Sequence, residues 1–246
     1  MWRWWQWPNL LSLDAPVVAV LWQALLAQVT GTMLLPAGRL ALGLTVWAIY
    51  LADRLLDVRD GQLAPSTARH RFSRRHRGVM LFLLSAVLAA DAVTVMSLLR
   101  EEVTRTGLVA AGGVAAYLLV LHGGRSGRWF PKEPLVAALF MAGVFLVAWT
   151  NAGGPRTEMA GMSVAFFALV LANLLGVERA EPGRWYGVAL GLMALGYAVP
   201  GGAWWWAMAA SAAALLAVHA VRRNVRGEAR RLALDVALLA PVIFLQ

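Results

Sequence analysis

The chain has 246 residues, of which 60% are hydrophobic and only 14% are charged. Its mean hydropathy of +0.64 is too high for a soluble domain of this length and favours a polytopic membrane protein. The net charge of +9 comes almost entirely from arginine, which fits loops at an anionic cytoplasmic leaflet better than nucleic-acid binding. Cysteine is absent, which excludes disulfides and thiolate metal sites.

In chain order, hydropathy predicts nine apolar segments that could cross a membrane, although the seventh and ninth are short for a span. No second domain or low-complexity tract is evident. We therefore expect one integral membrane domain over residues 1–246, built as an all-α bundle of about nine transmembrane helices. The predicted segments are 15–35, 39–57, 79–99, 107–123, 134–152, 160–177, 186–200, 203–221 and 232–245.

The distribution of basic residues orients this bundle. With nine spans, most of the 22 lysine and arginine residues fall on the side of the N-terminus and of the loops that follow even-numbered spans. The positive-inside rule places that side in the cytoplasm. We expect a multi-pass protein in the lipid bilayer with its N-terminus inside and its C-terminus outside.

The second apolar segment ends in a pair of aspartates. Asp53 and Asp57 are four residues apart and share one face of the predicted helix, and Asp60 follows shortly after. Carboxylates at a membrane boundary are costly to keep unless they bind something, and their oxygen atoms suit a Mg²⁺ ion shared with substrate phosphates. The alternative is ion pairing with neighbouring arginines such as Arg54.

The sixth apolar segment also ends in acidic residues. Glu178 and Glu181 are three residues apart on a continuing helix, and Asn173 lies about one turn deeper. Taken alone, this pattern is more typical of a solvated helix end. The predicted topology places it on the same side of the membrane as Asp53 and Asp57, so the two clusters together predict metal ions that neutralise a diphosphate.

An arginine- and histidine-rich loop is predicted at residues 67–77, directly after the aspartate pair. Arginine binds phosphate oxygens bidentately, and Arg69 and Arg71 lie nearest the aspartates along the chain. They are therefore candidates for binding a phosphate group. For residues 74–77, contact with lipid headgroups is the favoured role.

Asp91 lies well inside the third apolar segment. An ionisable residue within a membrane span is a functional candidate by default. The alternative is a neutral carboxyl group, or one that is hydrogen-bonded to a neighbouring helix.

Together these segments resemble the UbiA superfamily of intramembrane prenyltransferases, and the resemblance covers most of the chain. The family features are an Asp-x-Pro start of the first helix, the back half of a first aspartate motif and a Thr/Arg-rich loop. A tyrosine, a Lys-Arg segment and a second acidic motif follow them. The similar segments in this chain are residues 13–16, 52–57, 67–71, Tyr117, Lys132–Glu133 and 173–181.

The resemblance implies nine helices and Mg²⁺-dependent transfer of a prenyl group from a prenyl diphosphate to a lipophilic acceptor. It implies that Asp53 and Asp57 are the catalytic metal-binding pair, with Asp60 able to substitute for a missing ligand. Tyr50 is a candidate for stabilising an allylic cation. The further implied residues are Asn173, Glu178 and Glu181 for metal, and Arg69, Arg71 and Lys132 for the diphosphate.

The chain also departs from the family pattern. The leading Asn-Asp of the first motif falls on Ile49 and Tyr50, and an aspartate of the second motif falls on Leu171 or Gly176. These losses motivate an alternative, a catalytically degenerate protein that binds lipid or acts as a scaffold. Two other readings stay open. A UbiA-type terpene cyclase needs the same ionisation but no acceptor, and a small-solute transporter would line its path with little beyond Asp91. Protein partners are left open.

Overall fold

The computed structural model describes residues 7–59, 68–122, 132–151, 156–178, 187, 202–221 and 227–245. Within these ranges the regular structure is entirely helical, which confirms the all-α prediction. The Cα positions divide the chain into two compact units. The first unit comprises Met1–Val20 and Leu35–Phe130, and the second comprises Leu21–Leu34 and Pro131–Gln246.

In the first unit, the third helix is central and packs against the three helices that follow it. One side of this helix carries Ala48, Leu51 and Leu55, spaced by three and four residues, in the hydrophobic core. The core also includes Leu10 and Met80. The described helices of this unit are α1 (Trp7–Leu10), the first part of α2 (Asp14–Thr30), α3 (Pro36–Arg59), α4 (Ala68–Arg75), α5 (Arg77–Leu98) and α6 (Glu101–His122).

In the second unit, a long apolar helix packs against three others, and aromatic rings fill the core. Trp22 lies with its ring centroid 5.0 Å from that of Phe166 and 5.1 Å from that of Trp204. The described helices are the second part of α2, α7 (Lys132–Asn151), α8 (Arg156–Glu178), α9 (Gly202–Ala220), α10 (Gly227–Ala237) and α11 (Pro241–Phe244). The central helix is α8, which contacts α7, α9 and α10.

Five of the described helices, α5 to α9, are long and apolar enough to cross a membrane. They correspond to the third, fourth, fifth, sixth and eighth predicted segments. Large apolar side chains lie on the outside of the first unit, such as Phe82, which is 76% exposed, and Met96, which is 83% exposed. This surface fits contact with lipid, and the fold is compatible with a multi-pass integral membrane protein.

The nine-span count is not confirmed by the described residues. The first predicted segment forms α2, an apolar helix of 17 residues that ends at Thr30 because Gly31 adopts a left-handed φ of +63°. The ninth segment forms α10 and α11, of 11 and 4 residues. At 1.5 Å per residue, α10 rises roughly 16 Å, about half the thickness of a bilayer core. Most of the seventh segment lies outside the described residues.

Candidate functional site

The acidic end of α3 presents three of the predicted residues along one face. Tyr50, Asp53 and Asp57 are spaced by three and four residues, which stacks their side chains on successive helical turns. All three are half-buried. Each has an interaction partner within the structure. The fold thus brings together the predicted metal-binding pair and the predicted aromatic residue.

A buried arginine anchors the neighbouring side of α3 to α1. Arg54 is only 3% exposed, and its Nη1 donates to the carbonyl oxygen of Asn9 at 2.9 Å. The side-chain amide of Asn9 donates in turn to Oδ2 of Asp14 at 3.0 Å. About two helical turns before Arg54, the Trp47 indole donates to the carbonyl oxygen of Leu11 at 2.8 Å. These contacts hold α3 so that its acidic face has a defined orientation relative to α1.

Sequence reasoning considered Arg54 only as an ion-pair partner of Asp53 and gave Asn9 no role. The signal for Arg54 was present, because an arginine on the apolar side of a helix needs a buried acceptor. No such signal was present for Asn9, because it accepts through its backbone oxygen and lies 45 residues from Arg54 along the chain. Asp14, which the sequence marked only as the start of a helix, also belongs to this network.

The segment predicted as a basic loop is helical over Ala68–Arg75, so the loop prediction is wrong there. This helix, α4, packs against α1, α3 and α5. Phe72 is 5% exposed, and its ring meets the edge of the Trp7 ring with centroids 5.8 Å apart. The order of α4 therefore comes from burial of one side, which hydropathy could not show in so basic a sequence. Arg69 belongs to α4, and Arg71 is exposed and has an interaction partner.

The second predicted cluster lies in the second unit, on α8. Asn173 is 5% exposed, and its Nδ2 donates to the carbonyl oxygen of Leu234 at 2.8 Å. The Leu234 side chain also packs closely on α8, since a Cβ at Gly176 would lie 3.3 Å from it. Asn173 thus joins α8 to α10 through its side-chain nitrogen. A metal ion would instead bind the side-chain oxygen, Oδ1.

The remaining predicted residues are dispersed along the chain. Glu178 is the last residue of α8, and Lys132 is the first residue of α7 and is exposed. Asp60 and Glu181 lie outside the described residues. The aspartate pair therefore belongs to the first unit, and Lys132, Asn173 and Glu178 belong to the second.

Asp91 lies on the side of α5 that faces α3. Its Oδ2 accepts a hydrogen bond of 2.7 Å from the hydroxyl of Thr45. Thr45 precedes Asp53 by eight residues, so Asp91 lies roughly 12 Å farther along α3 than the aspartate pair. This geometry matches the alternative that Asp91 is hydrogen-bonded to a neighbouring helix.

Among the described residues, no three histidine, aspartate or glutamate side chains come together in a group that could hold a metal ion. Comparison with models of known protein families, with curated proteins and with solved structures finds no match. A functional proposal must therefore be carried by the residues of this chain.

Proposed function

We propose that this chain is a UbiA-type intramembrane prenyltransferase. It would transfer a prenyl group from a prenyl diphosphate to a lipophilic acceptor in a Mg²⁺-dependent reaction. The observation that carries this proposal is the half-buried acidic face of α3, a helix whose apolar side packs against the arginine-rich helix α4. The loss of diphosphate from a prenyl group needs two kinds of side chain, carboxylates that bind a cation and arginines that bind phosphate.

Asp53 and Asp57 are the residues that would hold the metal in the first unit. Their Cβ atoms, one turn apart on a helix, are separated by roughly 6 Å, which lets both carboxylates ligate one ion. An all-oxygen donor set with room for water is what Mg²⁺ prefers. Bound there, the ion supplies charge neutralisation that makes the diphosphate a better leaving group.

The chain itself supplies the rest of the chemistry. Arg69 and Arg71 on α4 would neutralise the diphosphate oxygens that the metal does not contact. Tyr50 lies on the same face of α3 as the aspartates, one turn farther from the helix end, where its ring would stabilise an allylic cation. The apolar helices would hold the prenyl chain and exclude water from that cation.

The proposal also includes residues of the second unit. Asn173, Glu178 and Glu181 stand in for the second acidic motif of the family that this chain resembles, and Lys132 stands in for its diphosphate-binding lysine. The hydrogen bond of Asn173 uses its nitrogen, so its oxygen keeps the chemistry of a metal ligand.

The proposed topology has nine spans, with the N-terminus and the acidic helix ends in the cytoplasm and the C-terminus outside. The arginine distribution supports it. Because the chain contains no cysteine, single introduced cysteines can report orientation cleanly. We expect Arg75→Cys to react with a membrane-impermeant maleimide only in permeabilised cells and Glu101→Cys to react in intact cells, since these residues flank opposite ends of α5.

A second candidate function is a catalytically degenerate protein that binds lipid or scaffolds a complex. It is favoured by Ile49 and Tyr50, which stand on α3 where the family has Asn-Asp. A cyclase of the same type would use the same acidic face without an acceptor. The enzyme and the scaffold differ in whether Mg²⁺ couples diphosphate binding to Asp53 and Asp57.

The test is the thermal stability of the detergent-purified protein with geranylgeranyl diphosphate, in the presence and absence of Mg²⁺. A ligand that binds only the folded state raises the melting temperature. We expect a Mg²⁺-dependent rise in the wild type that is lost in the Asp53→Asn/Asp57→Asn variant. Incubation of radiolabelled diphosphate with membrane lipid extract would then identify the acceptor, or a cyclic product in its absence.

The matched control is Glu101→Gln/Glu102→Gln, which makes the same change of charge at exposed positions of α6. This control should keep the rise. If no diphosphate of any prenyl length raises the melting temperature, the scaffold function is favoured instead. If the aspartate variant responds like the wild type, the metal assignment fails.

A further inference from the structure

Helix α4 has two chemically different sides. Phe72 and Ser73, at 5% and 0% exposure, form the side that is covered by the rest of the first unit. Arg71, Arg74 and Arg75 are exposed, and their spacing of three and four residues places them together on the opposite side. Packing fixes the helix, so the arginines form a fixed cationic surface.

The chain connection fixes the depth of this surface. Only His76 separates α4 from α5, and α5, with 22 residues, is long and apolar enough to cross a membrane. At 1.5 Å per residue, α5 is about as long as a bilayer core is thick, so α4 would lie at one surface of a membrane that α5 crosses. Trp7, 44% exposed and in edge-to-face contact with Phe72, is a residue type that concentrates at that level.

The arginines of this surface differ in whether they contact other residues of the protein. Arg71 has an interaction partner in the structure. Arg74 and Arg75 make no hydrogen bond or ion pair with any described residue, and neither does Arg77 at the start of α5. Three guanidinium groups at headgroup depth therefore remain available for an external anion.

We propose that Arg74, Arg75 and Arg77 form a binding surface for the phosphate groups of anionic glycerophospholipids. Guanidinium groups bind phosphate oxygens bidentately, and basic residues at a membrane surface attract anionic lipids. Arg74 and Arg75 lie on the exposed side of α4, opposite the buried Phe72 and Ser73. The proposal is independent of any enzymatic activity.

The test measures binding of fluorescently labelled phosphatidylglycerol and phosphatidylcholine to the full-length protein in neutral detergent. We expect phosphatidylglycerol to bind more tightly, with an affinity that falls as salt is added. The Arg74→Gln/Arg75→Gln variant should bind phosphatidylglycerol more weakly by about fivefold for each arginine removed. Phosphatidylcholine binding should not change.

The control variant is Arg100→Gln/Arg105→Gln, which removes the same charge near the other end of α5 and should leave the lipid preference intact. A preference that survives in Arg74→Gln/Arg75→Gln would overturn the proposal. An equal loss in the control would overturn it too, because net charge would then explain the effect. Displacement of the lipid by an equal concentration of glycerol phosphate would assign the surface to soluble phosphates instead of the membrane.

Discussion

The two units of the molecule both join helices through side chains that donate to backbone oxygens, but the second unit adds a core of aromatic rings. In the first unit, α3 is tied to α1 and to the turn that follows it by side chains that donate to backbone oxygens, Arg54 to Asn9 and Trp47 to Leu11. In the second unit, the core is a group of aromatic rings. Trp22 there donates its indole N–H to the carbonyl oxygen of Leu238 at 2.9 Å, which fixes the turn after α10.

Both units therefore have contacts that set the orientation of a helix, and the units differ in the ring packing of their cores. A hydrogen bond to a backbone oxygen is directional, so the contacts of the first unit define the rotation of α3 and hence the direction of its acidic face. Ring packing is stabilising but less directional. Polar contacts therefore orient helices in both units, while dispersion between rings adds stability to the second.

Removal of an aromatic ring from the second unit should lower the free energy of unfolding more than any other change considered below. Trp204 is 0% exposed, and its ring centroid lies 5.1 Å from that of Trp22 and 5.7 Å from that of Phe145. Trp204→Ala should lower the free energy of unfolding by about 4 kcal/mol through the cavity that it leaves. Circular dichroism during unfolding in mixed micelles measures it.

Trp206→Ala is the matched control, because Trp206 is in the same helix but 69% exposed. Its effect should be within about 0.5 kcal/mol. Equal losses in the two variants would show that the buried rings contribute no more than a lipid-facing ring, and the comparison between units would fail.

The next effect tests the polar anchor of the first unit. Arg54→Met leaves the Asn9 carbonyl oxygen without its donor and should cost about 2–3 kcal/mol of unfolding free energy. The cost stays below that of Trp204→Ala because the variant also removes a buried charge. Arg105→Met is the control, since Arg105 forms an exposed ion pair with Glu101 that is worth at most about 0.5 kcal/mol.

If the orientation of α3 matters for the proposed function, Arg54→Met should also reduce the Mg²⁺-dependent rise in melting temperature that geranylgeranyl diphosphate causes. Retention of that stabilisation together with the expected loss of stability would confine Arg54 to a structural role. No loss of stability would remove the role given to polar contacts in the first unit.

A third prediction concerns the polar contact in the second unit. Asn173→Asp keeps an oxygen ligand but removes the N–H that donates to Leu234, at a position only 5% exposed. We expect a loss of about 2 kcal/mol in unfolding free energy. Asn151→Asp, at the half-buried end of α7, should cost less than half as much. A stable Asn173→Asp variant with a stronger Mg²⁺ response would assign Asn173 to the metal instead.

The helices that sequence predicted best are those whose formation depends on composition alone. A run of about 20 apolar residues is sufficient to predict a membrane-spanning helix, and α5 to α9 follow this rule. The ninth predicted segment forms two short helices because Pro241, at the start of α11, cannot continue the helix from α10, and Trp22 also bonds to the turn at Leu238. The proline is a local signal of this interruption, whereas the contact with Trp22, 216 residues away along the chain, is not.

The candidate site divides in the same way. Spacing alone predicted that Asp53 and Asp57 share a face, because helix geometry is local. The helical state of α4 and the burial of Arg54 depend on contacts with α1, which the sequence of either segment does not contain. Sequence reasoning therefore found the residues that carry charge and missed those that orient them.

The smallest effect concerns Asp91, whose Oδ2 accepts from the Thr45 hydroxyl across α3 and α5. Thr45→Val keeps the shape but removes the donor, and a hydrogen bond between membrane helices is worth about 0.6 kcal/mol. Thr94→Val is the control, because the Thr94 hydroxyl bonds only to Ala90 of its own helix. Unfolding in mixed micelles should show the larger loss of unfolding free energy for Thr45→Val.

Because Asp91 lies roughly 12 Å along α3 from the aspartate pair, Asp91→Asn should leave binding of geranylgeranyl diphosphate unchanged. A large loss of binding would move Asp91 from the group of orienting contacts into the binding site, and the functional face of the first unit would then extend beyond the acidic end of α3.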